Sequence, residues 1–127
     1  MRWEREGELS ASTEDRINMI DENKLRELGF RGVAIIRRDG RLENAVLPDH
    51  LDKEMFSLMT AIMFSSSETI NKEMDFNIDI IRMYGHKWDL VIMKKDNYNF
   101  YAILAKHNMP ADEIKEKLRK INNDLNS

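Results

Sequence analysis

Apolar residues recur at helical spacing in three segments of the chain, and this pattern predicts three helices. The first covers residues 13–28 and is closed by Gly29 as a C-terminal cap. The second and longest covers residues 51–74, with Asp49 as its predicted cap. The third follows Pro110, a residue suited to the first helical position. Its apolar side chains form one stripe, at Ile114, Leu118, Ile121 and Leu125.

Strand-like apolar runs lie between these helices. Two of them, residues 33–36 and 42–47, flank Asp39-Gly40, a hairpin signal because a tight primed turn requires positive φ values. Pro48 ends the second run, since it cannot donate a ladder hydrogen bond. Three more runs follow the long helix, at residues 77–84, 86–95 and 98–105. The order and the short connections predict an α+β fold, with a five-stranded antiparallel sheet flanked by three helices.

Composition supports a single soluble domain. The chain has 127 residues, of which 42% are hydrophobic and 34% charged, a balance that argues against both membrane and disordered proteins. Residues 1–11 are polar and are predicted to be a flexible tail, which leaves residues 12–127 as one domain. No apolar stretch is long enough to span a bilayer and no signal peptide is evident, so we expect a cytoplasmic protein.

The sequence contains no recognisable catalytic or ligand-binding motif. Its net charge of -3 argues against a general nucleic-acid binder, and the absence of cysteine excludes thiolate chemistry. His50, His86 and His107 lack the spacing of metal ligands. The hydroxyl run at residues 65–67 has no histidine near it in sequence. We therefore expect a non-enzyme with no catalytic residue, no cofactor and no metal.

The long helix carries more apolar surface than one sheet face requires. Its apolar side chains spread over an arc wider than that of an ordinary surface helix, with Phe64 outside even that arc. Met55, Met59 and Met63 lie within the arc, and methionine suits adaptable contacts. Small side chains at residues 65–67 would let another backbone approach closely. The pattern therefore predicts a second apolar partner for this helix.

The run that follows this helix gives a second indication of an interface. Ile78, Ile80 and Ile81 make it apolar, and an apolar edge strand invites pairing with another chain. The nearby charges of Asp79 and Arg82 are equally consistent with a role in discouraging such pairing.

From about residue 21 to residue 123, the chain resembles the Roadblock/dynein light chain family. The resemblance rests on residues 28–36 (LGFRGVAII), the Arg38-Asp39-Gly40 turn, a long Met- and Ser-containing helix and the last strand, Tyr101-Ala102-Ile103-Leu104-Ala105. It implies a profilin-like αββαβββα fold with strand order 2-1-5-4-3. The long helix then covers one sheet face, and the N- and C-terminal helices cover the other.

Family members are non-catalytic regulators or scaffolds of Ras-like small GTPases, or adaptors in larger complexes. They typically dimerise through the long helix and the third strand. The resemblance therefore implies a homodimer with a small GTPase or another protein as partner, without nucleic acid and without direct membrane insertion. The implied dimer interface consists of Met55, Met59, Ile62, Met63, Ser66, Ile70, Ile78 and Ile80.

A different class of function remains open at this point. A sensor-type domain would hold a small ligand between the long helix and the sheet, in a cavity with convergent polar groups. Trp88, Tyr84 and Tyr101 are the candidate lining residues for such a site.

Overall fold

A computed structural model describes residues 22–126 of the chain, with side chains described as far as residue 121. The predicted tail at residues 1–11 and the first part of the predicted helix at residues 13–28 lie outside the described residues. The elements are α1 (Glu22–Leu28), β1 (Phe30–Arg37), β2 (Leu42–Val46), α2 (Lys53–Met74), β3 (Ile80–Met83), β4 (Trp88–Lys94), β5 (Asn99–Lys106) and α3 (Ala111–Asn126). This order confirms the predicted αββαβββα succession.

The five strands form one antiparallel sheet in the order β2-β1-β5-β4-β3, as predicted. Strand β5 pairs with both β1 and β4, so the last strand in the chain is the central strand of the sheet. The edge strands are β2 and β3. This order places the strand that follows the long helix in sequence at an open edge of the sheet.

Each face of the sheet has its own apolar core. On one face Leu25 of α1 and Ile114 of α3 pack with Val91 and Ile103 of the sheet. On the other face Phe64 of α2 packs with apolar residues of β1, β4 and β5. The two terminal helices and the long helix therefore lie on opposite faces, as the family resemblance implied.

The hairpin between β1 and β2 forms, but its turn is not of the primed type. Gly40 has a φ of 93°, whereas Asp39 is not among the described residues with positive φ. The carboxylate of Asp39 instead accepts a hydrogen bond from the backbone N–H of Arg41. Gly32 is required for a different reason, because a Cβ atom there would lie 2.9 Å from the carbonyl oxygen of Val46.

Two predicted boundaries were wrong. Helix α2 begins at Lys53, and its N-cap is Asp52 rather than Asp49, since the Asp52 carboxylate accepts the N–H of Met55. Strand β3 begins only at Ile80. The side chain of Asn71 donates to the backbone carbonyl of Ile78 and accepts from its backbone N–H. These two hydrogen bonds occupy backbone groups that a neighbouring strand would otherwise use.

Candidate functional site

The outer face of helix α2 exposes a continuous apolar surface. Met55, Leu58, Met59 and Ile62 are 54%, 53%, 52% and 58% exposed. Their spacing of three and four residues places them along one side of the helix, directly opposite the residues that contact the sheet. We call these four residues the α2 outer face. Such large side chains are ordinarily buried in a soluble domain.

The side of α2 that faces the sheet is built mainly from small residues. Its buried members are Ser57, Thr60, Ala61, Phe64 and Ser67. The hydroxyl groups of Ser57, Thr60 and Ser67 donate to carbonyl oxygens one turn earlier in the same helix, at 2.7 to 3.0 Å. These polar groups are therefore satisfied without partners in the sheet, and the helix approaches the sheet closely.

This arrangement corrects the interpretation of the long helix drawn from its sequence. Phe64, which lay outside the apolar arc, is the large side chain that attaches α2 to the sheet. It is 6% exposed, and its ring stacks on Phe100 of β5 with centroids 4.7 Å apart. Within the predicted apolar arc, Leu51, Phe56 and Met63 pack partly against the same core, whereas the α2 outer face points away from the sheet. The serine run does not act as one unit, since Ser67 is buried while Ser65 and Ser66 are exposed.

None of the eight predicted interface residues is buried in the single chain. Met55, Met59, Ile62 and Ser66 are exposed on α2, while Met63 and Ile70 on the same helix are half-buried. Ile80 of β3 and Ile78 just before it are also half-buried. Leu58 belongs to the α2 outer face but was not among the predicted interface residues. Its position three residues after Met55 was the available signal.

A shallow groove borders the outer face on the side of the β1–β2 hairpin. It has a volume of about 300 Å³ and is lined by Arg38, Asp39, Leu58, Ala61, Ile62, Ser65 and Ser66. Arg38 fixes the hairpin against α2, because its guanidinium pairs with Glu68 and lies 5.3 Å from the centre of the Phe64 ring. The same guanidinium donates to the carbonyl of Asn97 at 2.6 Å, which adds the β4–β5 turn to this contact.

Arg82 of edge strand β3 is held by a buried carboxylate. Asp89 of β4 is fully buried, and its Oδ2 atom accepts from Nε and Nη2 of Arg82 at 3.0 and 2.8 Å. The backbone N–H groups of Gly85 and Asn108 also donate to Asp89, each at 2.9 Å. The Nδ1 atom of His107 completes the set at 2.8 Å, and it must donate because a carboxylate only accepts.

These hydrogen bonds determine the ionisation of Asp89. Burial alone would raise the pKa of this carboxyl group. The bonds from His107, Asn108, Gly85 and Arg82 outweigh burial and hold the pKa of Asp89 well below its usual range. The ionised side chain thus ties β3 to the connection between β5 and α3. An acidic residue within the apolar run of β4 was the sequence signal for this site.

A cavity opens beside edge strand β3, between α2 and the sheet. We call it the edge cavity. Its volume is about 260 Å³. Phe64, Ile81 and Ile92 supply its apolar lining. Ile78 also belongs to the apolar lining, and the polar lining residues are Ser67, Glu68, Asn71, Asn77, Asp79 and Lys94.

The residues proposed for small-ligand binding do not converge on this cavity. Tyr101 is buried in the core beneath the terminal helices, Tyr84 is exposed, and neither they nor Trp88 line the two cavities described above. Between residues 22 and 121, histidine and acidic side chains form no cluster suited to a metal ion. Within the described part of the chain, no helix has the length and apolar character needed to cross a membrane.

Comparison with known sequences adds one relative. An uncharacterized protein of Methanocaldococcus jannaschii, MJ1389, is 25% identical over 123 residues, which cover 94% of this chain and 89% of the relative. No family model matches the sequence.

Comparison with solved structures identifies the fold. MglB of Myxococcus xanthus superimposes with a TM-score of 0.72 at 13% identity, covering 90% of this chain and 94% of that one. The gliding protein MglB of Thermus thermophilus gives 0.68 at 15% identity, with coverage of 88% and 87%. A Roadblock/LC7 domain of Streptomyces avermitilis gives 0.61 at 12% identity, with coverage of 80% and 94%. The chain therefore has the Roadblock/LC7 fold, which confirms the resemblance found in its sequence.

Proposed function

We propose that two copies of this chain associate through α2 and β3, and that the dimer is a non-catalytic adaptor for a Ras-like small GTPase. The observation that carries the proposal is the exposed apolar surface of the α2 outer face. Its four large apolar side chains are each more than half exposed and lie together on one side of the helix, whereas exposed apolar residues on a protein surface are normally scattered singly. Both the arrangement of the elements and the functions typical of Roadblock domains agree with this use.

The energy available from this surface is of the right order for association. Complete burial of one large apolar side chain contributes roughly 1.5–3 kcal/mol, so burying a half-exposed one contributes about half as much. Complete covering of four such residues on each copy would supply at most roughly 6–12 kcal/mol per dimer, against an association cost of about 4–15 kcal/mol. Helix contacts alone are therefore marginal, and backbone pairing between edge strands would supply the remainder.

Strand β3 is suited to this pairing. It lies at the edge of the sheet, and the positive charge of Arg82, for which a role against pairing was left open, is bound by Asp89. The side chain of Arg82 is only 13% exposed. The neighbouring Asp79 carboxylate lies 3.8 Å from the Lys115 ammonium of α3. Both charges beside the edge thus have partners within the chain.

The proposed partner follows from the family resemblance. Association would place two α2 helices side by side, and the parts of their outer faces left uncovered would form an apolar platform. The sequence contains no recognisable catalytic motif, and we assign the chain no catalytic residue. Any effect on GTP hydrolysis would then come from positioning the switch loops of the GTPase itself. A solved neighbour described as MglB with tetrameric arrangement shares the fold, and larger assemblies of this chain would be compatible with the proposal.

Self-association is tested by placing a charge on the α2 outer face. Ile62→Asp should abolish the dimer, because a carboxylate buried there without a partner costs several kcal/mol. Tyr98→Asp is the control, since Tyr98 is 68% exposed in the turn between β4 and β5. Molar mass from light scattering and unfolding curves should show a folded monomer for Ile62→Asp and a dimer for the control. A monomeric wild-type protein, or a dimer unaffected by Ile62→Asp, contradicts the proposal.

The partner is tested separately, by affinity capture from native cell extract with and without a GTP analogue. Enrichment of a small GTPase in one nucleotide state, lost with Ile62→Asp, is the expected result. Capture that does not depend on nucleotide and yields no GTPase would refute this part of the proposal.

A further inference from the structure

The side chains of β3 alternate between the two faces of the sheet. Ile80 packs against the core beneath the terminal helices, and Ile81 packs against the core beneath α2. Met83 follows Ile81 by two residues, so it lies on the α2 side as well. Met83 is 41% exposed and ends the strand. An apolar side chain thus lies on the same face of the sheet as the edge cavity but does not line it.

A dimer with paired β3 strands has few possible registers. The two copies are related by a two-fold axis, and residues directly opposite each other in an antiparallel pair lie on the same face of the sheet. One residue of β3 must therefore lie directly opposite the same residue of the other copy. Strand β3 covers only Ile80–Met83, so most of it is paired when that residue is Ile81 or Arg82. Centring on Ile80 or Met83 would leave only the central residue paired within the strand.

Charge distinguishes the two remaining registers. Centring on Arg82 would place two guanidinium groups directly opposite each other, and like charges in that position are destabilising. Both would lie on the terminal-helix face, where Asp89 already holds the Arg82 side chain. Centring on Ile81 instead places an isoleucine opposite an isoleucine. The register centred on Ile81 is therefore favoured.

This register carries Met83 to the edge cavity of the other copy. Counting outward from Ile81, Met83 lies opposite Asp79 of the partner subunit, which immediately precedes β3 and lines the cavity, so this contact extends the pairing one residue beyond the strand. We propose that Met83 of each copy enters the edge cavity of the other, so that each cavity is completed only in the dimer. The inference rests on the proposed self-association through β3 and specifies its geometry.

The chemistry of the cavity fits this occupant. Its apolar lining consists of Phe64, Ile78, Ile81 and Ile92. Methionine is unbranched and flexible, which suits an irregular apolar gap, and its sulfur makes favourable contacts with aromatic rings such as that of Phe64. The polar residues Asn77 and Asp79 of the lining are themselves exposed, so water can still reach them.

Cysteine cross-linking tests the register directly, because the chain contains no native cysteine. Ile81→Cys should form a covalent dimer with itself under mild oxidation. Asp79→Cys and Met83→Cys should cross-link to each other when the two proteins are mixed, and poorly when each is alone. Tyr98→Cys, exposed in the turn between β4 and β5, is the control and should stay uncross-linked.

The outcomes separate this inference from the proposal beneath it. A wild-type protein that is monomeric removes the dimer and this inference with it. A dimer in which Asp79→Cys and Met83→Cys do not cross-link keeps the self-association but overturns the register. Cross-linking of that mixed pair together with Ile81→Cys supports the register.

Truncation of the side chain tests the cavity. Met83→Ala should raise the dimer dissociation constant by roughly 10- to 100-fold, since two apolar contacts are lost per dimer. Tyr98→Ala should leave it unchanged. Because Met83 is partly exposed in the single chain, unfolding of the monomer should change little. An unchanged dissociation constant for Met83→Ala would show that the cavity is not filled by this residue.

Discussion

Helix α2 allows a matched comparison between two large apolar residues on its opposite sides. Phe64 faces the sheet and is 6% exposed, whereas Ile62 faces outward and is 58% exposed. We expect Phe64→Ala to destabilise the domain strongly and Ile62→Ala to leave the isolated chain almost unchanged. Both substitutions occur in the middle of the same helix, so helix propensity improves in both.

The size of the Phe64 effect follows from its contacts. Removing a buried phenylalanine costs about 3–5 kcal/mol through lost burial and the cavity left behind. The stack on Phe100 at 4.7 Å adds to this loss, and so does the cation–π contact with Arg38 at 5.3 Å. The other buried α2 residues are small, so none can replace Phe64. We expect a loss of about 4 kcal/mol, a large share of the roughly 5–15 kcal/mol typical of a domain.

Urea unfolding followed by circular dichroism measures both effects, over a wide range of protein concentration. At low concentration, Ile62→Ala should lie within about 0.5 kcal/mol of wild type, as for other exposed positions. At high concentration it should lose stability relative to wild type, because the wild-type protein then gains from association. A large loss for Ile62→Ala at low concentration, or a negligible one for Phe64→Ala, would refute the orientation of α2.

Two further predictions concern single sites away from α2. Asp96 accepts the N–H groups of Tyr98 and Asn99, and although burial alone would raise its pKa, these and other hydrogen bonds lower it to about 2. The ionised Asp96 should therefore stabilise the fold above the unfolded pKa of about 3.9, and this stabilisation should be lost as the pH falls toward 2. In the Asp96→Asn variant, the free energy of unfolding measured against pH should fall by about 1 kcal/mol less over this range than in wild type. The value is small because solvent screens a partly exposed group. Gly32→Ala should lower the free energy of unfolding, measured in urea, by about 1–3 kcal/mol, because its Cβ would lie 2.9 Å from the Val46 carbonyl oxygen. An unchanged urea midpoint would show that β1 and β2 can separate at this position without cost.

Much of the fold was predictable from the sequence because its signals are local. Helical spacing in α3, the Asp39-Gly40 hairpin and the Gly29 cap each depend on neighbouring residues. Short connections then predict antiparallel neighbours, whereas the order of the strands in the sheet was implied by the family resemblance. The family resemblance supplied the assignment of helices to faces, which the structure confirms.

The direction in which α2 faces was not predictable from its apolar pattern. A periodic apolar stripe normally marks the side of a helix that contacts the core. In α2 the contacting side carries Ser57, Thr60 and Ser67, whose hydroxyls are satisfied within the helix itself. Hydropathy scores these residues as polar, so periodicity alone does not show which side of α2 contacts the sheet.

The amino-acid sequence by itself determined the order of the helices and strands and the presence of surplus apolar surface, because periodicity and turn chemistry act over a few residues. Only the tertiary structure decided that this surface faces outward and that Asp89 binds Arg82, since these features depend on how separate elements pack together. The edge cavity beside β3 is likewise formed by parts of α2, β3 and β4. Packing between segments that are distant in sequence determines which side chains are buried and which are exposed.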